Sequence, residues 1–92
     1  MIDGLDGNML NGLGALEHLL MNDNAISRLG NRVFDSLTGL IRLHLQHNLL
    51  SELSDDVFTS SLGRLEELFL QNNVLVRLES GVFNNLVGMS KL

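Results

Sequence analysis

Cysteine is absent from the 92 residues, so neither a disulfide framework nor a thiolate metal site can form, and the redox compartment cannot be read from the chain. Cations are scarce as well: one Lys and five scattered Arg stand against 11 Asp and Glu, for a formal net charge of −5. Binding nucleic acid by counterion release needs clustered Lys and Arg, so this balance argues against such a partner. Nothing approaches the roughly 18 consecutive apolar residues that a membrane helix requires, and no membrane contact is expected of this segment. The opening MIDGLDG is acidic where a signal peptide is positively charged. Every Asn lacks Ser or Thr two residues on, so no N-glycosylation acceptor is present. Signals of an enzyme are missing too. Gly12-x-Gly14 has Glu17 where the dinucleotide fingerprint needs its third glycine, and no Ser or His lies in a nucleophile motif. No enzyme activity and no cofactor are expected.

What is present is leucine in a strict order. The stretch 62–78, LGRLEELFLQNNVLVRL, places Leu62, Leu65, Leu68, Leu70, Leu75 and Leu78 at spacings that gather on no single helical face. Only Leu68-x-Leu70 has the two-residue period of a strand. A pattern that fails both periods but returns at fixed intervals marks a structural unit stacked on copies of itself. The returns are tight: Leu13, Leu37, Leu62 and Leu86 are separated by 24, 25 and 24 residues. Behind the first three come Leu16, Leu19, Met21, Asn24, Ile26, Leu29 and Phe34, then Leu40, Leu43, Leu45, Asn48, Leu50, Leu53 and Phe58, then Leu65, Leu68, Leu70, Asn73, Leu75, Leu78 and Phe83. The extra residue of the second unit lies between Phe58 and Leu62, where a small bulge in the returning loop is expected.

This order, LxxLxLxxNxLxxL ending in xxxxFxxL, resembles the leucine-rich repeat in its typical extracellular form of about 24 residues. That type occurs in Toll-like receptor ectodomains, small leucine-rich proteoglycans and Slit-type adhesion proteins. The proline often found after the last Leu is replaced by Gly30, Ser54 and Glu79. The resemblance implies an α/β fold, a right-handed solenoid with short parallel strands on the concave face and loops or 3-10 turns on the convex face. The chain divides into a partial unit at 1–12, units at 13–36, 37–61 and 62–85, and a partial unit at 86–92. Both ends match the unit only as fragments and carry no polar capping repeat. The expectation is a piece of a longer array that can self-associate through uncapped ends.

Each repeated residue type has a physical task. The segments around Leu19, Leu43 and Leu68 form the strands, their leucines turned inward. Phe34, Phe58 and Phe83 stack as a spine on the return side, with Leu10 standing in at the start. Asn24, Asn48 and Asn73 are buried amides, which must find backbone partners in their own and adjacent turns, and so form a ladder.

The residues between the inward leucines stand on the concave face in columns. One runs Glu17, Ile41, Glu66, Ser90; the next His18, Arg42, Glu67, Lys91; the third Leu20, His44, Phe69; then Asn22, Gln46, Gln71; and last Asp23, His47, Asn72. In leucine-rich repeat proteins such positions commonly contact partners. Phe69 is the one phenylalanine outside the spine, and an aromatic anchor among polar neighbours has the composition of an interface hot spot. The expected partner-binding residues are Leu20, Arg42, His44, Glu67, Phe69, Gln71 and Asn72. The Arg42–Glu67 column also reads plainly as exposed ion pairs. His18, His44, His47 and Asp23 are spread over three columns, and no metal site is expected. The resulting expectation is a protein-recognition module from a receptor or secreted adhesion protein. The alternatives are spacer repeats of a longer solenoid and a cytoplasmic scaffold.

Overall fold

The computed structural model describes residues 3–5, 7–54, 56–78 and 81–82. Among the described residues seven short strands follow one another: β1 (Gly4–Leu5), β2 (His18–Leu20), β3 (Arg28–Leu29), β4 (Arg42–His44), β5 (Glu52–Leu53), β6 (Glu67–Phe69) and β7 (Arg77–Leu78). Turns of 3-10 helix span Gly7–Leu10 and Ser60–Leu62. Among the described residues no helix is long and apolar enough to cross a membrane.

The three-stranded sheet, on the face expected to be concave, is parallel, in the order β2-β4-β6. Its register places His18 beside Arg42 beside Glu67, Leu19 beside Leu43 beside Leu68, and Leu20 beside His44 beside Phe69. These are the columns expected from the unit length. Alternation at a period of two turns Leu43 and Leu68 fully inward, and their flanking residues outward. Backbone bonds continue the ladder on both sides of the strands. Ile41 donates to Glu17 O at 2.8 Å and Glu66 to Ile41 O at 2.8 Å; beyond the strands, Met21 donates to His44 O and Leu45 to Phe69 O at 2.9 Å each. Each unit is thus tied to the next along more chain than its strand.

At the exit from each strand, Asp23, His47 and Asn72 adopt φ of 60°, 59° and 60°. This left-handed turn carries the chain off the sheet, and Asp, Asn and His tolerate it better than most residues. The next residue is the ladder asparagine. Asn48 Nδ2 donates to Leu45 O and to Met21 O of the preceding unit, both at 3.0 Å, while Oδ1 accepts from Ile26 N at 3.0 Å. Asn73 repeats this one unit on: Nδ2 donates to Leu70 O and Leu45 O at 2.9 Å, and Oδ1 accepts from Leu50 N at 3.0 Å. Asn24 donates to Met21 O and Asn22 O. The polar residue on the apolar rhythm is there because the turn leaves backbone donors and acceptors that a side-chain amide, carrying two donors and an acceptor, satisfies at once.

The core is a single cluster running from Leu5 to Val82, in which Leu37, Leu40, Leu43, Leu45, Leu50, Leu62, Leu65 and Leu68 have no exposed surface. Leu16 and Leu19 are only partly buried, and Leu13 and Leu78 are exposed. Burial is thus deepest in the central unit, which has a neighbour on each side. Phe34 and Phe58 stack with centroids 6.1 Å apart and planes within 6°, and Leu10 is buried as their apolar neighbour in sequence slot. Phe83, Ser90, Lys91 and the partial unit at 86–92 lie outside the described residues.

On the return side the extra residue of the second unit falls between Phe58 and Leu62. It is taken up by the 3-10 turn Ser60–Leu62, in which Leu62 donates to Thr59 O at 3.0 Å and Gly63 to Ser60 O at 3.2 Å. The return side is not, as expected from the sequence, only loops and 3-10 turns. β1 pairs with β3 and β5 with β7, both in parallel. Between β3 and β5, among the described residues, there is no such pairing: the bonds that would continue the β1–β3 pattern, from the amides of Ser51 and Ser54 to the carbonyls of Ser27 and Leu29, are absent. The gap is bounded at both ends, by Leu49 N to Ile26 O at 2.9 Å and Arg32 N to Asp56 O at 3.0 Å.

Candidate functional site

The concave face carries the expected site residues, and the register brings five of the seven together. Glu67 is their centre. Its carboxylate faces Arg42 Nε at 3.5 Å through one oxygen and His44 Nε2 at 3.0 Å through the other. Arg42 in turn approaches His18 Nδ1 at 3.5 Å. His44 stacks on Phe69, with ring centroids 4.4 Å apart and planes 24° from parallel. Leu20 stands next in the same column and is 59% exposed.

This geometry alters the simple column picture in two ways. The second and third columns are not independent, because Glu67 pairs straight across with Arg42 and diagonally with His44. Side chains two residues apart on one strand face are close enough for long groups to reach, so a column-by-column reading misses the diagonal. Phe69 is also not an isolated exposed ring. One face rests on His44, and the side chain is half-buried. Glu67 and His44 are largely shielded, at 18% and 19% side-chain exposure, whereas Arg42 is 50% exposed. The shielded pair fixes the floor of the patch, and Arg42 and Leu20 present groups to solvent.

Gln71 and Asn72 stand apart from this cluster, both exposed. Asn72 lies within 3.4 Å of His47 Nε2, and its left-handed φ gives it a backbone task independent of any ligand. Gln46, in the same column as Gln71, has a buried Oε1 without a hydrogen-bond partner among the described residues. Among the described residues no three His, Asp or Glu side chains converge as metal ligands would.

A second polar region lies on the return side. The gap between β3 and β5 opens as a cleft of about 480 Å³ lined by Ser27, Arg28, Ser51, Glu52, Ser54 and Arg77. Arg28, Glu52 and Arg77 occupy one slot of three successive units, and Arg77 approaches Glu52 at 3.6 Å. Their alternating sign is readable in the sequence, on the face opposite the one that the family pattern recommends. Nearby, Thr59 donates to Asp35 and Arg32 Nε contacts its other oxygen at 2.6 Å. The Thr59 hydroxyl and then the Arg32 guanidinium hold the Asp35 carboxyl below its ordinary value, against the opposing effect of burial.

No curated protein matches the sequence. A family model described as Leucine rich repeat matches residues 1–50 and again residues 38–92, which together take in every residue. The strand register, the asparagine bonds and the stacked phenylalanines supply the physical reason for that match, and the chain belongs to the leucine-rich repeat family.

Proposed function

We propose that the chain is a protein-recognition module whose contact surface is the concave patch of Leu20, Arg42, His44, Glu67 and Phe69, extended by Gln71 and Asn72. Leucine-rich repeats generally mediate protein–protein interaction, which sets the class of activity. The observation that carries the location is the His44–Phe69 stack with Leu20 exposed beside it, an apolar strip bordered by the Arg42–Glu67–His44 network. A ring already fixed on one face loses little freedom when a partner covers the other, and that preorganisation favours binding. Fixed polar neighbours around an apolar strip exclude water from its centre, the arrangement that concentrates binding energy.

Three strands at about 4.8 Å spacing make a narrow sheet, small against the roughly 800 Å² per partner of a standard interface. The module therefore contributes to binding as part of a longer concave surface. The repeat type fits the ectodomain of a receptor or a secreted adhesion protein, and recognition there is the proposed setting.

The test is alanine substitution of Leu20 and Phe69, singly and together, with Leu49→Ala as an exposed apolar control off the patch. Binders selected against the chain by peptide display serve as probes, and their affinities are measured by surface plasmon resonance. The double variant should weaken most of them by about 2 kcal/mol or more, the scale of a hot spot, while the control leaves them unchanged. Binders that ignore Leu20 and Phe69 would leave these residues as spacer surface.

A further inference from the structure

Asn11 stands in an exposed turn after the 3-10 turn Gly7–Leu10, and the residue that follows it, Gly12, has φ of +83°. A Cβ added at Gly12 would meet no atom within 4 Å beyond its two chain neighbours, so the surrounding structure leaves this peptide group uncrowded. Two other asparagines precede a left-handed residue: Asn22 before Asp23 at 60° and Asn31 before Arg32 at 55°. The three share a backbone feature, but only at Asn11 does the next residue lack a side chain. Its carboxamide is also held from one end. Ser36 Oγ, in the unit 13–36, donates to Asn11 Oδ1 at 3.3 Å. That bond draws electron density from Cγ and leaves Nδ2, the group that must depart, on the other side.

We propose that Asn11 is a site of spontaneous modification, converting in the folded chain through a succinimide to aspartate and isoaspartate faster than Asn22 or Asn31. Water or hydroxide removes the Gly12 amide proton, and that nitrogen attacks Cγ of Asn11, forming the N–Cγ bond. Nδ2 takes up a proton and leaves as ammonia. Water then adds across one of the two imide C–N bonds. Cleavage at Cγ gives aspartate with the ordinary backbone; cleavage at the former backbone carbonyl gives isoaspartate, with the main chain running through the side-chain carbon. No electrons are transferred, and water is the only co-reactant. Glycine matters because a Cβ on the next residue crowds the attacking nitrogen and restricts the dihedrals that bring it to Cγ. Either product adds a negative charge where the first described turn meets the array. Isoaspartate also lengthens the main chain by a methylene and displaces the acceptor of Ser36.

The folded chain is aged at mildly alkaline pH, digested, and followed by mass spectrometry for replacement of the amide by a hydroxyl. An isoaspartate-specific methyltransferase separates the two products. Asn11 should react at least about tenfold faster than Asn22 or Asn31, a modest difference in barrier. Gly12→Ala should bring the rate down to theirs. Because alanine is strained at this φ, Asn11→Gln provides a second variant: its longer side chain must close a six-membered ring, and methyltransferase labelling at position 11 should vanish with the unfolding midpoint unchanged. Equal rates at Asn11 and Asn31 would overturn the proposal. So would a fast reaction at Asn11 seen only in urea, which would show that the folded turn protects it.

Discussion

Replacing Asn48 with alanine removes three hydrogen bonds of 3.0 Å at once: the amide donors to Met21 O and Leu45 O, and the acceptor of Ile26 N. Asn48 is 4% exposed and Ile26 has no exposed surface, so the Ile26 amide has no ready route to bulk water. A buried group left without its partner costs about 1–3 kcal/mol, while a carbonyl with a second lone pair or a neighbouring donor costs less. The space vacated by the carboxamide is close to the volume of one water, about 30 Å³, and a water there would recover part of the loss. The net expectation is about 2–4 kcal/mol, a large share of the roughly 5–15 kcal/mol that a domain of this size possesses. Urea unfolding followed by circular dichroism measures it, since the chain has neither Trp nor Tyr for fluorescence. Asn48→Asp gives the reasoning its sharpest test. The aspartate keeps the acceptor for Ile26 N but sets a carboxylate against two carbonyls, which raises its folded-state pKa. Its destabilisation should therefore be small below the unfolded value, about 3.9, and grow as pH rises above it. A loss below about 1 kcal/mol for Asn48→Ala, or a pH-independent loss for Asn48→Asp, would refute the ladder as a source of stability.

Phe58→Leu opens the stack with Phe34 at a position with no exposed surface, and should lower stability by about 1–3 kcal/mol in the same urea assay. Thr59→Val removes the main cause of the lowered Asp35 pKa. The stability that Asp35 contributes is present above its ordinary value of 3.8 and lost as pH falls through the lower folded-state value, so the difference between variant and parent should shrink on acidification. Disrupting the Arg77–Glu52 pair by Arg77→Ala should change stability by no more than about 0.5 kcal/mol, because both side chains are mostly exposed. Amide hydrogen exchange followed by NMR should find Ser51 and Ser54 weakly protected and their counterparts Ser27 and Gly30, which donate to Asp3 O and Leu5 O, strongly protected.

The concave half of each unit was legible in the sequence because its residues are fixed by position. A leucine displaced by one place would turn outward, and an asparagine displaced by one would miss Ile26 N or Leu50 N, so spacing alone predicts both register and columns. The return half obeys no such constraint. Two-residue strands such as Arg28–Leu29 and Glu52–Leu53 are too short to show a period, and their pairing is decided by how the turns on each side settle. At the candidate site, opposition across the sheet followed from the unit length. The diagonal contact of His44 with Glu67 depended instead on side-chain reach, and so did the cover that His44 gives to one face of Phe69.

The missing backbone bonds between β3 and β5 also bear on how the array bends. The ladder of β2 and β4 binds the units 13–36 and 37–61 along one side; on the other, among the described residues, the backbone bonds Leu49 N to Ile26 O and Arg32 N to Asp56 O are joined by the Phe34–Phe58 stack and the Thr59–Asp35 hydrogen bond. Flexing there would break no backbone bond between β3 and β5, whereas sliding would break the ladder between β2 and β4. Closing the seam shortens the outer arc and flattens the inner one, and widening it does the reverse. Leu20 lies on one side of this joint, and His44 and Phe69 on the other. Because no backbone bond joins β3 to β5 among the described residues, their separation is not tied to the ladder that sets Leu20 beside His44 and His44 beside Phe69.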